Sequence, residues 1–228
     1  MTTKRTFVRS SYEAEIQQLK DELLILGNMV EQQILNSVDA LKRRDIAASQ
    51  EVKAMDEKVN LKRYAIEEKV LITIATQQPM AHDLRLLASI LEIAGELERM
   101  GDYAKGIAAI NIRMEEQELL TPLVRIPQMA EIAVKMLDRA LHAFLVEDLT
   151  EARVIPDEDD KVDQLYDQVF ETLVDLAKED ESAIQRANYI LWSAHNLERV
   201  ADRVTNICER TIFTVTGELK EITASSDQ

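Results

Sequence analysis

Apolar residues step by threes and fours along most of this chain. Ile16, Leu19, Leu23, Leu26, Val30, Ile34, Val38 and Leu41 form a stripe of period near 3.6, which predicts a helix starting at Tyr12. Lys42, Arg43 and Arg44 close it with cations suited to a helix C-terminus. Residues 1–11 show no such period and read as a loose basic arm. A second stripe, Val52, Met55, Val59, Ile66 and Val70, stops at Gln77-Gln78-Pro79, because proline disfavours a helical residue before it. A third helix runs on to about Glu118, and Thr121-Pro122 and then Pro127 mark the next break. Met129, Ala133, Met136, Ala140, Leu141 and Phe144 make a fourth helix. Ile155, Val162, Val169 and Leu173 make a fifth, with Pro156 in its first turns. The sixth spans about Ser182 to Thr216, ended by Gly217, and the tail from Thr223 to Gln228 reads as frayed.

These six helices are two sets of three. Ile90, Leu91, Ala94, Glu98 and Asp102 recur 100 residues later as Ile190, Leu191, Ala194, Glu198 and Asp202. The middle helices agree at an offset of 103, where Asp56-Glu57-Lys58-Val59-Asn60 matches Asp159-Asp160-Lys161-Val162-Asp163. Met29, Glu31, Ala40 and Leu41 recur as Met129, Glu131, Ala140 and Leu141. Such a repeat is too long for a solenoid unit and has the size of a small helical domain. The expected fold is therefore all-α: two tandem three-helix bundles related by internal duplication, residues 1–120 and 121–228.

Composition narrows the function. Only five Gly and four Pro occur in 228 residues, as a helical chain requires. Cys208 is the single cysteine, so no internal disulfide or Cys-based metal motif exists; it aligns with Ala108 and reads as a packed core residue. Net charge is −15, which repels phosphate backbones and disfavours direct nucleic-acid binding. The first residues, Met-Thr-Thr-Lys-Arg-Thr, lack the apolar segment of a secretory leader, and no run of about 18 apolar residues occurs. A cytoplasmic protein that meets a membrane only through protein partners is expected.

The two copies of Glu-x-x-x-Asp carry the candidate chemistry. Glu98 and Asp102, like Glu198 and Asp202, stack on one helix face, and by helical angle share it with Leu84, Leu87, Leu91 and Ala94 or with Ile184, Ala187, Leu191 and Ala194. Carboxylates on an apolar sector need protonation, a basic partner or a metal ion. Arg99 and Arg199 point about 100° away and read as poor partners within the helix. Asp56 and Asn60, and Asp159 and Asp163, are also four apart, so two helices in each half can aim four oxygen-bearing side chains at one place. Oxygen-only sets suit hard cations, but the Glu-x-x-His of di-iron bundles is absent. His195, about 60° from Glu198, reads as a solvent-edge residue. Spacing leaves two readings open: a metal site, or a salt-bridge network that fixes helix register. No Gly-rich phosphate loop or nucleophile elbow occurs, and nothing argues for catalysis. A carboxylate-bridged metalloenzyme or metal-storage bundle is the alternative to a binding protein.

Leu97–Ala108 (LERMGDYAKGIA), Leu197–Glu209 (LERVADRVTNICE) and Gln77–Arg85 (QQPMAHDLR) closely resemble the PhoU family, over nearly the whole chain. The resemblance implies two tandem three-helix bundles and a negative regulator of the phosphate-starvation response. It implies an adaptor between the ATPase side of the Pst phosphate transporter and the sensor histidine kinase PhoR, and a homodimer is expected. It also implies iron or zinc at the repeated motif in some members, with Mg or Mn as other oxygen-liganded choices and metal-free members known. The positions carried over are Glu98, Asp102, Glu198 and Asp202, faced by Asp56, Asn60, Asp159 and Asp163, with Asn206 keeping its place. Two departures stand out. Gly106 replaces the family's frequent Asn, and Ala201-Asp202-Arg203 replaces its usual Gly-Asp-His. Lys105, about −20° from Glu98, is placed to neutralise the first-half acids, so the two halves need not be equivalent.

Overall fold

The computed structural model describes the backbone of residues 2–114 and 125–220, with side chains from residue 12 onward. Within those residues it is helical: α1 Thr2–Arg43, α2 Ile46–Gln77, α3 His82–Arg113, α4 Arg125–Val146, α5 Leu149–Val154, α6 Asp159–Glu179 and α7 Ile184–Thr216, with short 3₁₀ turns at Ile155–Glu158 and Glu181–Ala183. No strand occurs among the described residues. Glu118, Thr121-Pro122, the expected boundary between residues 120 and 121, and the tail from Thr223 lie outside them.

Three differences from the expected elements have local causes. The expected arm at residues 1–11 continues α1 from Thr2, since that stretch holds neither Pro nor Gly to stop a helix. Pro127 falls inside the first turn of α4, where a missing N–H costs nothing. The fifth helix is split: Pro156 sits in a 3₁₀ turn, the six-residue α5 precedes it, and α6 starts only at Asp159.

The duplication extends to the turns. Arg44 and Glu147, 103 residues apart, both have positive φ (57° and 60°). In each case the following Asp N–H donates back to an alanine carbonyl, Asp45 to Ala40 and Asp148 to Ala143. These are Schellman closures. Asp45 and Asp148 then cap the next helix, Asp45 accepting from the Ala48 N–H and Asp148 from those of Thr150 and Glu151. Gly217 ends α7 in the left-handed region, as expected.

Within the first half α3 packs on α1 and α2; within the second α7 packs on α4 and α6; and α3 lies on α7 while α1 lies on α4. One contiguous apolar core therefore runs through both halves, from Leu19 to Cys208. Both inter-half pairs are antiparallel. Along α3 and α7 the contacts run from Arg85 Nε on the Thr214 carbonyl (3.1 Å), through Thr214 Oγ1 on Ser89 Oγ (2.8 Å) and Asn206 Nδ2 on Glu96 Oε2 (3.0 Å), to Asn196 seated over Gly106. The repeat register converts the Glu96–Asn206 contact into Asn196–Gly106, so the halves are related by a pseudo-two-fold axis between α3 and α7. A Cβ at position 106 would meet the Asn196 amide at 3.0 Å, which accounts for the glycine there. Lys20 Nζ donates to the Leu145 carbonyl (3.1 Å), and Gly27 lets α1 come down on Leu141, where a Cβ would stand 2.2 Å from Cδ1.

Candidate functional site

Because α3 is covered by α1, α2 and α7, its buried arc centres on Leu97, with Ile90, Ile93, Met100 and Ala104. Glu98 is about 100° round from that centre. The face it shares with Asp102 is thus the rim of the apolar sector expected: Leu87, Ala94, Ala187 and Ala194 on it are buried, and its outer positions open to solvent. Leu84 is 42% exposed, Ile184 54%, and Leu91 and Leu191 are half-buried. Asp102 and Asp163 are exposed, while Glu98, Glu198, Asp159 and Asp202 are half-buried.

In the first half, α2 and α3 bring Asp56, Asn60 and Asp102 together around a lysine, with Glu98 beside them near Arg63. Lys105 Nζ lies 2.7 Å from Asp56 Oδ2 and 3.4 Å from Asp102 Oδ1, and Asn60 Nδ2 donates to the same Asp56 oxygen at 3.3 Å. Asp56 is only 6% exposed, so this ammonium neutralises a nearly buried charge. The hydrogen bond to Asp56 in turn raises the Lys105 pKa. Burial, then the neighbouring Asp102, lifts the Glu98 carboxyl above its ordinary range.

In the second half, α6 and α7 bring Asp159, Asp163, Glu198 and Asp202 together, and Thr205 stands where the first half has Lys105. Asp159 is pushed up to about 7 by burial, then by Asp163, Asp202 and Glu198. Burial, then Glu198 and Asp202, also raises Asp163. The Oδ1 atom of Asp159 is buried with no hydrogen-bond partner among the described residues. Single contacts balance the α7 acids. His195 Nδ1 is 2.6 Å from Glu198 Oε2, and Arg199 Nη1 donates to Asp202 Oδ2 at 2.6 Å. The second contact corrects the expectation for Arg199, which points about 100° from its neighbour Glu198 but is within reach of Asp202, three residues on. His195 lies at the solvent edge, as read.

Among the described residues no three His, Cys, Asp or Glu side chains converge closely enough to hold a metal ion. The donor sets still differ in what they would accept. Four gathered carboxylates, two of them raised by burial and by the charges of the others and one with an orphaned buried oxygen, suit a hard cation in kind. The first-half set does not fit one, because an ammonium already lies between Asp56 and Asp102.

Asn206 is placed elsewhere. Its amide donates to Glu96 in the seam between the halves and does not join the carboxylates. Glu96, 7% exposed, also accepts from Arg99 Nη1 (2.8 Å) and Arg203 Nη1 (3.3 Å). Beside it, burial raises the Tyr103 phenol, but hydrogen bonds from Arg203 and Arg199 outweigh that and leave it below its usual value. Sequence reading missed this node. Its one local signal is an acid about 40° from the core residue Met100. Cys208 is a core residue, its thiol pushed up to about 12, chiefly by burial.

Fold and site together define a class: a duplicated three-helix protein whose third helix in each half carries a paired-carboxylate motif on its rim. Known proteins give that class a name. The family model described as the PhoU domain matches the chain twice, at residues 23–110 and 126–211. A phosphate-specific transport system accessory protein PhoU homolog from Clostridium acetobutylicum is 33% identical over 211 residues, 92% of this chain and 96% of that one. The crystal structure of PhoU from Pseudomonas aeruginosa superposes with a TM-score of 0.85 at 34% identity, covering 91% of this chain and all of that one. The phosphate transport system regulatory protein PhoU from Streptococcus pneumoniae does so with a TM-score of 0.86 at 30% identity, covering 92% and all of it. The chain belongs to the PhoU family. Among the described residues no helix is long and apolar enough to cross a membrane.

Proposed function

We propose that this chain is the accessory protein of a phosphate-specific transport system and a negative regulator of the phosphate-starvation response. It acts as an adaptor: a cytoplasmic homodimer that links the ATPase subunit of the Pst transporter to the sensor kinase PhoR and keeps signalling off when phosphate is plentiful. It turns over no substrate of its own. The observation that carries this reading is the family match across both halves, together with relatives named for accessory and regulatory roles in phosphate transport.

The second-half acids supply the element that such a regulator needs, a contact whose strength can change. Asp159 and Asp163 on α6 and Glu198 and Asp202 on α7 would hold a divalent cation such as Mn, Mg or iron, or zinc. The bound charge would cancel their mutual repulsion and favour the arrangement in which α6 and α7 lie closest. A ligand shifts an equilibrium only by its differential affinity for two arrangements, and this cluster provides the difference.

Deleting the gene is expected to leave phosphate-starvation genes expressed in high phosphate, with repression restored by the intact chain. Genes that stay off in the deletion strain overturn the regulatory reading.

A further inference from the structure

We propose that Lys105 is the resident cation of the first-half motif, and that its ammonium keeps this half from taking a divalent metal ion. The chain would then carry one metal-responsive half and one permanently neutralised half. This rests on the second-half metal reading only for the contrast between the halves.

The two halves serve as each other's control. In repeat register Asp56 matches Asp159, Glu98 matches Glu198 and Asp102 matches Asp202. Around them the halves differ at Asn60 against Asp163, Lys105 against Thr205, Arg63 against Tyr166 and Gly95 against His195; Arg63 acts on Glu98 and His195 on Glu198. The first half therefore gives up one carboxylate and gains an ammonium at Asp56 and Asp102 and a guanidinium near Glu98. That ammonium is not a loose surface charge: it lies 2.7 Å from an oxygen of the nearly buried Asp56 and 3.4 Å from Asp102, bridging α2 to the motif on α3. An ammonium is a compact charge with three donors and no acceptor. It can satisfy two carboxylates at once, but it offers a metal no ligand and repels it at close range.

Removing Lys105 leaves Asp56, Glu98 and Asp102 with the Asn60 amide oxygen, still an oxygen-only set of the kind hard cations take. The Oδ1 atom of Asp56 is buried with no hydrogen-bond partner among the described residues, so one donor there is already uncommitted. Placing a lysine at Thr205 would impose the first-half arrangement on the second.

The test titrates metal-free protein with manganese(II) chloride by calorimetry and counts bound metal by elemental analysis, with circular dichroism confirming the fold of each variant. Wild type is expected to bind one Mn(II) per chain, lost in Asp159→Asn. Lys105→Thr gains a second site, at least tenfold tighter than any first-half binding in wild type. Thr205→Lys loses the original one. Should Lys105→Thr fail to fold, Lys105→Gln keeps an amide donor near Asp56 without the charge and is expected to show the same gain. The proposal is overturned if folded Lys105→Thr or Lys105→Gln binds no more metal than wild type, or if wild type binds metal and Thr205→Lys binds it equally. A wild type that binds none beside a Lys105→Thr that binds one removes the second-half reading and keeps this one. One wild-type site with no gain in the Lys105 variants does the reverse. No binding by any variant removes both.

Discussion

Glu31 on α1 is held against α4, where burial and the Asp138 carboxylate raise its pKa from 4.5 to about 7. The sign follows from linkage. Between pH 4.5 and about 7 the folded chain keeps a proton that the unfolded chain has released, so folding stability falls as pH rises through this window. Below it Glu31 contributes nothing; above it the destabilisation is complete. At about 1.4 kcal/mol per pH unit the shift corresponds to roughly 3 kcal/mol. The side chain is half-buried, and solvent screening brings that to about 2 kcal/mol. Glu31→Gln keeps the shape and removes the ionisable proton. The variant is therefore expected to be more stable than wild type by about 2 kcal/mol at pH 8, a rise in Tm of roughly 4–8 °C for a chain of this size. At pH 4 the two should coincide. Urea unfolding at both pH values, with a chelator present, measures the difference. A gain of equal size at pH 4 and pH 8, or a loss at pH 8, would refute the assignment of repulsion across the α1–α4 seam.

The same seam fixes Gly27. A Cβ there would stand 2.2 Å from Leu141 Cδ1, so Gly27→Ala should cost about 1 kcal/mol, the overpacking of 1–3 kcal/mol being offset in part by better helix propensity; the shift of the denaturant midpoint checks it. In the other seam, Glu96→Gln removes the charge that Arg99, Arg203 and Asn206 share. It is expected to cost about 2 kcal/mol, whereas the same change at the exposed Asp102 should move the midpoint far less.

The helices were legible because each buries one stripe, and Leu19 through Leu41 or Met129 through Phe144 announce themselves by spacing. The region before α6 was not, because its apolar stripe begins at Ile155 while the chain already turns helical at Leu149 behind the Asp148 cap, one proline short of continuity. The paired carboxylates and the Lys105–Asp102 contact could be read from angles along single helices. Glu96 could not, since its partners Arg203 and Asn206 are 107 and 110 residues away and meet it only through the antiparallel pairing of α3 with α7.

That pairing bears on how the two copies came to depend on each other. Were the first three helices to assemble with a second set of themselves about the same axis, every Glu96 would face Gly106, with neither the Asn206 amide nor the Arg203 guanidinium to receive it. Two carboxylates would face each other's copy at the join with only Arg99 of their own helix to balance each. The mirror assembly of the last three helices would bring Asn196 against Asn206, two amides crowding where one now meets a glycine. Fusion into one polypeptide has let the copies diverge into a matched pair, so neither can any longer serve as its own mate.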